Sequence, residues 1–364
     1  MRIGVNALYL IPGGVGGTEI YLRSLLTALA AIDGDNEYMV YTNRETAGTG
    51  LVPPSPRFRD VPQSVSARNR PARIVYEQTA LAVRARVDVV FNPGFTAPVA
   101  CPAPQVTVFH DLQHKRHPEH FRRFDLPAWR LLLWASAHRS RRIVAVSEAT
   151  RADLLRYYSI PAGRVCVIPH GVDPVFPRIA AERRRDGFTP DLMLLCVSTL
   201  HPHKNLERLI RVFARYHARH PGWTLTLAGL RGFHAGPVER AVAEAKLGAA
   251  VRITGWIPRE ELYGLFRRAA AFVYPSTFEG YGMPVSEALA AGLPTACSDI
   301  EPLRTVAGGA AWLFPPDDED AMLDAIGKAA SGRAAGAWPE PPSWEDAARA
   351  TLTVLRAACS AAGS

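Results

Sequence analysis

Residues 1–31 read MRIGVNALYLIPGGVGGTEIYLRSLLTALAA, and this stretch sets the pattern for the whole chain. Its apolar start predicts a short buried strand over Arg2–Leu8, which a glycine-rich turn separates from a predicted helix over about Thr18–Ala31. The same order of strand and helix returns at intervals along the rest of the sequence. Strands that alternate with helices form βαβ units, so we expect α/β architecture with mostly parallel sheets.

Two such series are present, one in each half of the chain. The first continues with predicted strands at Val87–Phe91, Val106–His110 and Ile143–Val146 and predicted helices at Phe124–Ser140 and Glu148–Tyr158. The second has predicted strands at Met193–Ser198, Thr224–Ala228, Val251–Gly255, Ala271–Tyr274 and Thr295–Ser298. Its predicted helices are Leu206–His220, Val238–Leu247, Arg259–Ala269 and Val285–Ala291. We therefore expect two Rossmann-like, doubly wound domains that face a central cleft.

The boundaries of the domains are predicted from the composition of the segments between them. An N-terminal domain is expected over residues 1–175 and a C-terminal one over residues 191–342, joined by a linker at 176–190 that is rich in Pro, Arg and Gly. Residues 343–364 are expected to form a terminal helix, capped by Ser343 and continuing to Ala361, that crosses back to the N-terminal domain.

Composition excludes several classes of protein. The 364 residues are 48% hydrophobic and 21% charged, which is typical of globular domains and excludes disorder, collagen and coiled coil. No apolar run has the roughly 20 residues that a membrane span needs, and the N-terminus lacks a signal-peptide pattern. The five cysteines are far apart and form no C-x-x-C pair, so we expect reduced thiols and a cytoplasmic protein without a zinc cluster.

The net charge of +8 is unevenly distributed. Residues 1–185 carry 25 Lys and Arg against 15 Asp and Glu, whereas residues 186–364 carry 17 against 19. A preference for Arg accounts for part of the excess but not for the difference between the halves. A basic first half predicts an anionic partner, either a phosphorylated acceptor or an acidic membrane surface.

The turn after the first strand contains four glycines, Gly13, Gly14, Gly16 and Gly17. Glycines allow backbone N–H groups to approach an anion, and a helix N-terminus favours negative charge. A dinucleotide fingerprint would need glycine at Glu19, and a P-loop would need Lys and Ser or Thr to follow, so neither fits. A ligand-binding loop and a mobile surface turn are both compatible with this pattern, and the position directly after the first strand favours a ligand, whose identity stays open.

The most informative segment runs from Tyr274 to Gly292, YPSTFEGYGMPVSEALAAG. Glu279 ends a loop after a predicted strand, and Glu287 lies one turn into the helix that Pro284 begins. Two carboxylates with this spacing can face one site, and carboxylates bind sugar hydroxyls well because each accepts several charge-assisted hydrogen bonds.

This segment resembles the E-x7-E signature of the family-4 retaining glycosyltransferases, which have the GT-B fold of two Rossmann-like domains. The similarity extends over nearly the whole chain. Further segments that resemble family elements are Gly13–Gly17, Phe109–Asp111, Val167–Asp173, His201–Asn205, Ile253–Trp256 and Ser343–Glu345.

The resemblance implies that the second domain binds a nucleotide sugar and the first an acceptor. It places the ribose hydroxyls on Glu287, the transferred sugar near Glu279, and the diphosphate on Lys204. His110 would contact the sugar or the acceptor, and the sugar pocket would be lined by Gly280, Tyr281, Gly282, Met283 and Pro284. The glycines of the first loop would lie close to the phosphates or the acceptor. It also implies retention of anomeric configuration without a metal or other cofactor.

The chain departs from the family pattern at the phosphate clamp. Thr199 and His203 stand where many relatives have a second cation, and Arg231, in a loop after a strand, is a candidate replacement together with the two histidines His201 and His203. A histidine there would make donor binding sensitive to pH near neutrality.

The donor is predicted from smaller features. The segment His110–Leu112, followed by His117–Glu119 and the His201–Asn205 element, resembles bacterial polysaccharide mannosyltransferases, which favours GDP-mannose. A rhamnosyl or glucosyl donor carried by dTDP or UDP remains open, as do a sugar-nucleotide epimerase and a binding module of the same fold. The expected acceptor is a glycan or a polyprenyl-diphosphate-linked sugar.

Residues 109–142 combine eight Lys or Arg with five histidines and interleaved apolar residues. A solvated basic face over a core helix and a surface that docks on anionic lipid or a lipid diphosphate are both compatible with this pattern. Nucleic acid is not expected because no nucleic-acid-binding motif is present.

Overall fold

The computed structural model describes residues 1–14, 16–121 and 123–360. The chain divides into two compact units, one formed by residues 1–171 together with the segment from Pro342 onward, the other by residues 172–341. None of the helices in the described ranges is both long and apolar enough to span a bilayer.

The first unit contains a parallel sheet of seven strands: β1 (Arg2–Asn6), β2 (Glu37–Thr42), β3 (Phe58–Pro62), β4 (Val89–Asn92), β5 (Gln105–Phe109), β6 (Arg142–Ala145) and β7 (Val165–Val167). Their order across the sheet is β3-β2-β1-β4-β5-β6-β7. Its described helices are α1 (Gly17–Ile32), α2 (Arg70–Tyr76), α3 (Ala82–Arg84), α4 (Gln113–Arg116), α5 (Leu126–Arg139), α6 (Glu148–Tyr158) and the last helix of the chain.

The second unit repeats this plan with six parallel strands: β8 (Asp191–Val197), β9 (Thr224–Ala228), β10 (Val251–Gly255), β11 (Ala269–Tyr274), β12 (Thr295–Ser298) and β13 (Ala311–Phe314). Their order is β10-β9-β8-β11-β12-β13. The described helices are α7 (Val175–Arg183), α8 (Leu206–Arg219), α9 (Ala235–Glu244), α10 (Arg259–Arg268), α11 (Met283–Ala290), α12 (Leu303–Ala307) and α13 (Glu319–Ala330).

The order of the strands indicates where a ligand would bind in each unit. Every residue of β4, β5 and β11 is buried, as expected for central strands of a parallel sheet that is covered on both faces. The order reverses at the pairs β1/β4 and β8/β11, where consecutive crossovers leave in opposite directions. Ligands in such sheets bind beyond the carboxyl ends of the strands at this point.

The predicted alternation of strands and helices is present in both units, with boundaries shifted by a few residues. The sequence did not predict four strands at or near the sheet edges: β2, β3, β7 and β13. The strand β3 reads FRDVP, and its charges and terminal proline hide any apolar alternation.

The predicted linker at 176–190 is wrong over its first half, because α7 occupies residues 175–183 and belongs to the second unit. Phe176 and Ile179 are fully buried in that unit's core. Pro177 does not break the helix, since it lies in the first turn, where a backbone N–H has no intrahelical partner. The boundary therefore falls at residues 171/172 rather than after residue 175.

The last helix, α14 (Trp344–Ser360), belongs to the first unit and packs on α1. Ser343 accepts a hydrogen bond from the Asp346 backbone N–H at 3.0 Å, as an N-cap does. Gly171 and Trp344 meet so closely that a methyl group at Gly171 would lie under 3.0 Å from the Trp344 backbone. The predicted final helical residue, Ala361, lies outside the described residues.

Candidate active site

The carboxyl ends of β8 and β11 bring together a lysine and a glutamate. Lys204 ends a single 3-10 turn after β8, and Glu279 lies in the loop after β11. The Lys204 Nζ atom is 2.5 Å from Glu279 Oε1 and 3.0 Å from the Tyr274 hydroxyl. The two charged side chains are only 13% and 10% exposed, so each is largely removed from solvent but remains paired. Tyr274 was not predicted as a site residue.

Backbone contacts hold these two loops against each other. The carbonyl oxygen of His203 accepts hydrogen bonds from the Thr277 backbone N–H at 2.7 Å and from the Ser276 and Thr277 hydroxyls at 3.1 Å. Ser276 is fully buried, and its hydroxyl also lies 2.9 Å from the Phe278 carbonyl. The position of Lys204 beside Glu279 is therefore fixed by neighbouring backbone rather than by the ion pair alone.

Glu287 lies on the buried side of α11 and is 5% exposed. Its Oε1 atom is 3.0 Å from the guanidinium of Arg259, the first residue of α10. Burial raises the pKa of Glu287, while Arg259 opposes that shift. Arg259 also donates to the Tyr263 hydroxyl at 3.0 Å, and that hydroxyl donates to Asp173 at 2.5 Å.

The sequence did not point to Arg259, Tyr263 or Asp173 as partners of Glu287. An Arg and a Tyr four residues apart at a helix start are common, and only the fold places them against Glu287.

The loop between the two glutamates is shaped by Gly282. Gly282 has a φ of 99°, which disfavours a side chain, and a methyl group there would overlap Leu303 Cδ2. Gly280 and Tyr281 connect it to Glu279, and Tyr281 is buried, which raises the pKa of its hydroxyl. Met283 and Pro284 form the first turn of α11. The turn therefore delivers Glu279 and Glu287 from a loop and a helix, as their spacing predicts.

The residues proposed for the second cation lie in different surroundings. Thr199 packs its methyl group near Gly232, and the rings of His201 and His203 stack with centroids 5.8 Å apart and 17° between planes. Arg231 forms an ion pair with Glu239 on exposed side chains. Among the described contacts Arg231 has none with Lys204, Glu279 or Glu287, so the structure does not bring this candidate to the paired residues.

The first unit places His110 at the carboxyl end of β5. His110 Nε2 donates to the Pro93 carbonyl at 2.8 Å, and burial lowers the pKa of His110 to about 4. The ring of Tyr21 lies edge-on to it, with centroids 4.9 Å apart, and the ring of His170 lies 5.5 Å away. Burial also lowers the pKa of His170. Both imidazoles are therefore neutral at pH 7.

The glycine loop is closed by a carboxylate from the same chain. Gly13 and Gly16 have positive φ, and Gly17 begins α1. Glu19 Oε2 accepts the Gly13 backbone N–H at 2.7 Å, while its Oε1 accepts from Arg23 at 2.8 Å. At Gly14, a methyl group would crowd Ile11. Of the loop, Val15 lies outside the described residues. One amide expected to face an anion is thus bound to Glu19.

Several cations of the basic segment at 109–142 support the fold. Arg116 pairs with Asp153 at 2.7 Å, and Arg130 and Arg139 donate to backbone carbonyls. Arg122 lies outside the described residues. The apolar side chains Phe124, Leu131 and Trp134 are instead exposed, by 97%, 65% and 46%.

The same segment contains side chains of metal-ligand type. His117, Glu119 and His120 place one nitrogen or oxygen each within 4.8 Å of one another. His117 Nδ1 lies 3.0 Å from Glu119 Oε1, and the two imidazoles stack with centroids 5.4 Å apart. The Glu119 carboxylate lies within 4.0 Å of both imidazoles, so the three side chains contact one another in this arrangement.

Comparison with known protein families gives two matches that follow one another along the chain. Residues 15–176 match the model described as Glycosyltransferase Family 4, and residues 179–355 match the model described as Glycosyl transferases group 1. The junction of the two matches lies close to the boundary between the two structural units.

Curated relatives are similar over part of their length. The O-antigen chain mannosyltransferase B of Escherichia coli is 28% identical over 253 residues, which are 67% of this chain and 65% of that protein. The GDP-mannose:cellobiosyl-diphosphopolyprenol alpha-mannosyltransferase of Komagataeibacter xylinus is 31% identical over 205 residues, 56% of this chain and 50% of that protein. The chain thus spans about half to two thirds of these relatives.

Solved structures share the architecture over the whole chain. HepE of Anabaena, in complex with UDP and glucose, superposes with a TM-score of 0.69 at 18% identity and covers 100% of both chains. WaaG, a glycosyltransferase involved in lipopolysaccharide biosynthesis, superposes with a TM-score of 0.68 at 16% identity and covers 98% of both. The two parallel-sheet units and the two successive family matches lead to one assignment: the chain belongs to the family-4 glycosyltransferases and has their GT-B fold.

Proposed function

We propose that this protein transfers mannose from GDP-mannose, with retention of anomeric configuration and without a metal, to a glycan or polyprenyl-diphosphate-linked acceptor in cell-surface polysaccharide assembly. The observation that carries the proposal is the buried pair of Lys204 and Glu279 at the carboxyl ends of β8 and β11, with the second carboxylate, Glu287, on the following helix. This set offers one cation for a diphosphate and two carboxylates for sugar hydroxyls.

The proposed reaction breaks one bond, forms another and moves one proton, and it needs no cofactor for these steps. The bond from the sugar C1 to the diphosphate oxygen breaks, and a bond from C1 to the acceptor oxygen forms on the same face of the sugar. The proton of the acceptor hydroxyl passes to the departing phosphate oxygen. Negative charge grows on the diphosphate as the bond breaks, and a fixed ammonium such as Lys204 stabilises it most when water is excluded.

The remaining side chains have roles that follow from their chemistry. Glu279, held beside Lys204, can accept hydrogen bonds from hydroxyls of the transferred sugar, and Glu287 can do so for the ribose. We assign the acceptor to the first unit, where neutral His110 offers an imidazole nitrogen at the end of β5.

Mannose is favoured by the relatives, since both proteins named above are described as mannosyltransferases. The alternative is a glucosyl or rhamnosyl donor carried by UDP or dTDP, and the complex of HepE with UDP and glucose supports that alternative. Sugars that differ at one hydroxyl are separated by one or two contacts, so binding must decide between them.

The test is a donor panel with purified protein. GDP-mannose, UDP-glucose, UDP-N-acetylglucosamine and dTDP-rhamnose are added separately, each with EDTA and with magnesium, and thermal stability and slow release of nucleoside diphosphate are measured. We expect GDP-mannose alone to stabilise the protein, equally in EDTA. Stabilisation by UDP-glucose only would identify the alternative donor, and a response that needs magnesium would overturn the metal-free mechanism.

We further propose that the protein docks on an anionic membrane from the first unit. The apolar stripe of this proposal consists of the exposed Leu131 and Trp134, which lie about one turn apart on α5, and the exposed Phe124 just before that helix; the exposed Arg123 precedes Phe124 in the basic half of the chain. Apolar side chains that enter a headgroup region together with cations bind acidic lipid.

Sedimentation with vesicles tests this docking. We expect binding to vesicles that contain phosphatidylglycerol, and little to pure phosphatidylcholine. Replacing Leu131 and Trp134 by Ser should abolish binding while donor-induced stabilisation stays unchanged. Equal sedimentation of the variant would exclude this stripe as the docking surface.

A further inference from the structure

Arg259 is tied into the candidate donor site by contacts that the family signature does not contain. Its guanidinium lies 3.0 Å from Glu287 Oε1 and 3.7 Å from Asp173 Oδ2, and its Nε donates to the Tyr263 hydroxyl at 3.0 Å. The rings of Phe176 and Tyr263 lie 5.4 Å and 5.2 Å from the guanidinium carbon. A planar cation held by two carboxylates and two rings has little freedom to turn.

The other end of this network is equally fixed. Tyr263 donates its hydroxyl proton to Asp173 at 2.5 Å, and Asp173 accepts the backbone N–H of Val175 through its second oxygen at 2.9 Å. Arg259 is therefore anchored to the segment that leads into α7, and its Nη2 atom, which faces Asp173, also donates to Glu287.

The contacts of Arg259 fix the orientation of the Glu287 carboxylate. One oxygen, Oε1, is bound to Arg259, whereas in the described ranges the other oxygen, Oε2, has no hydrogen-bond partner. A buried carboxylate that is held through one oxygen presents the other in a fixed direction. Without the guanidinium, the same carboxylate would be buried without charge compensation, and burial would favour its protonated form.

We propose that Arg259 is a positioning residue of the donor site, which holds Glu287 ionised and oriented so that Oε2 accepts hydrogen bonds from the ribose hydroxyls of the nucleotide. This inference rests on the proposed function, and it adds that nucleotide recognition depends on a three-residue network of Asp173, Arg259 and Glu287. Arg259 acts through Glu287 and makes no contact with the nucleotide itself.

A double-mutant cycle separates action through Glu287 from every other role. Affinity for GDP and 2′-deoxy-GDP, and for the corresponding UDP pair, is measured by calorimetry on the parent protein, Arg259→Met, Glu287→Gln and the double variant. We expect Arg259→Met and Glu287→Gln each to weaken binding of the ribonucleotide by roughly tenfold or more. In the Glu287→Gln background, Arg259→Met should cost less than about threefold, because the contact that it supports is already lost.

Two further readouts would not move if Arg259 were merely structural. The parent protein should prefer GDP to 2′-deoxy-GDP, and Arg259→Met should lose that preference. Binding by Arg259→Met should weaken more at pH 6 than at pH 8, because the unpaired Glu287 takes up a proton more readily, with Asp173 as the nearby carboxylate that adds to this effect. Arg259→Lys should restore the pH profile of the parent.

Arg267→Met is the matched control. Arg267 lies on the same helix, α10, and pairs with Glu182 at 2.6 Å on half-exposed side chains. Its loss should leave nucleotide affinity within twofold of the parent. If Arg259→Met does not fold, the same cycle is run with Arg259→Gln, which keeps polar atoms at the site but removes the charge.

The outcomes are distinguishable. Additive losses in the cycle, or an unchanged preference for the ribonucleotide in Arg259→Met, would show that Arg259 does not act through Glu287 and would overturn the inference alone. A parent protein that binds neither nucleotide pair would overturn the proposed function, and the inference with it.

Discussion

The Nζ atom of Lys204 lies 2.5 Å from Glu279 Oε1, although the two residues belong to loops that follow different strands. The Tyr274 hydroxyl, 3.0 Å away, completes the contacts of the ammonium group. The cation is thus held in place before any donor arrives. Preorganised charge of this kind stabilises a developing negative charge without the cost of turning solvent or side chains during the reaction.

Removing this cation should therefore affect turnover strongly. We expect Lys204→Met to lower kcat/KM for the donor about 100- to 1,000-fold, the range found when one electrostatic contact to a transition state is lost. Tyr274→Phe, which removes a neutral hydrogen bond, should cost about tenfold or less. Lys328→Met is the control, since Lys328 is half-exposed and pairs with Asp324. Activity of Lys204→Met above a tenth of the parent would contradict the assigned role.

Gly282 gives a prediction about stability. A side chain there must adopt a φ of 99° and overlap Leu303, so Gly282→Ala should lower the free energy of unfolding by about 1–3 kcal/mol and weaken donor binding. Urea denaturation measures the first effect. The control is Gly264→Ala within α10, where a methyl group meets no atom within 4 Å and should be neutral or stabilising by up to about 1 kcal/mol. Equal stability of the two variants would refute this account.

The buried imidazole of His110 predicts how stability changes with pH. The pKa of His110 is about 4 in the folded protein and near 6.5 when unfolded, so protonation favours the unfolded chain. Its contribution is present at neutral pH and is lost as the pH falls from about 6.5 towards 4, by up to about 3 kcal/mol. His110→Gln, which keeps a donor for the Pro93 carbonyl, should reduce the difference in unfolding free energy between pH 7 and pH 5. Burial also lowers the pKa values of His114 and His170, so the stability of the His110→Gln variant should still depend on pH to a smaller extent.

The contact between Gly171 and Trp344 predicts which substitution releases α14. A methyl group at Gly171 cannot fit against the Trp344 backbone, so Gly171→Ala should displace the start of the helix and lower the midpoint of thermal unfolding by several degrees. Limited proteolysis should then cut near residue 343 faster than in the parent. Gly163→Ala, where no atom lies within 4 Å, should leave both measurements unchanged.

Much of the fold could be predicted because the central strands are continuous apolar runs and the amphipathic helices repeat their apolar residues with the helical period. The edge strand β3 and the helix α7 could not, since charges and prolines interrupt the pattern in both. In α7 the spacing of Phe176, Ile179 and Ala180 was an available signal that the proline-rich context concealed.

The residues of the candidate site also divide into those that the sequence reveals and those that only the fold reveals. Glu279, Glu287 and Lys204 belong to short motifs that a sequence can reveal. Arg259 and Tyr274 have no motif, because their importance comes from neighbours that lie 28 and 70 residues away along the chain. The pairing of Arg231 with Glu239 shows the converse, since a cation in a suitable loop can be engaged elsewhere.

The place of α14 in the first unit has a consequence for biosynthesis. A ribosome synthesises all of the second unit, residues 172–341, before it makes α14, the last helix of the first unit. The second unit can therefore fold on the nascent chain while α1 still exposes the apolar surface that α14 will cover. During that interval the first unit lacks its last helix, so it is completed last although most of it is synthesised first.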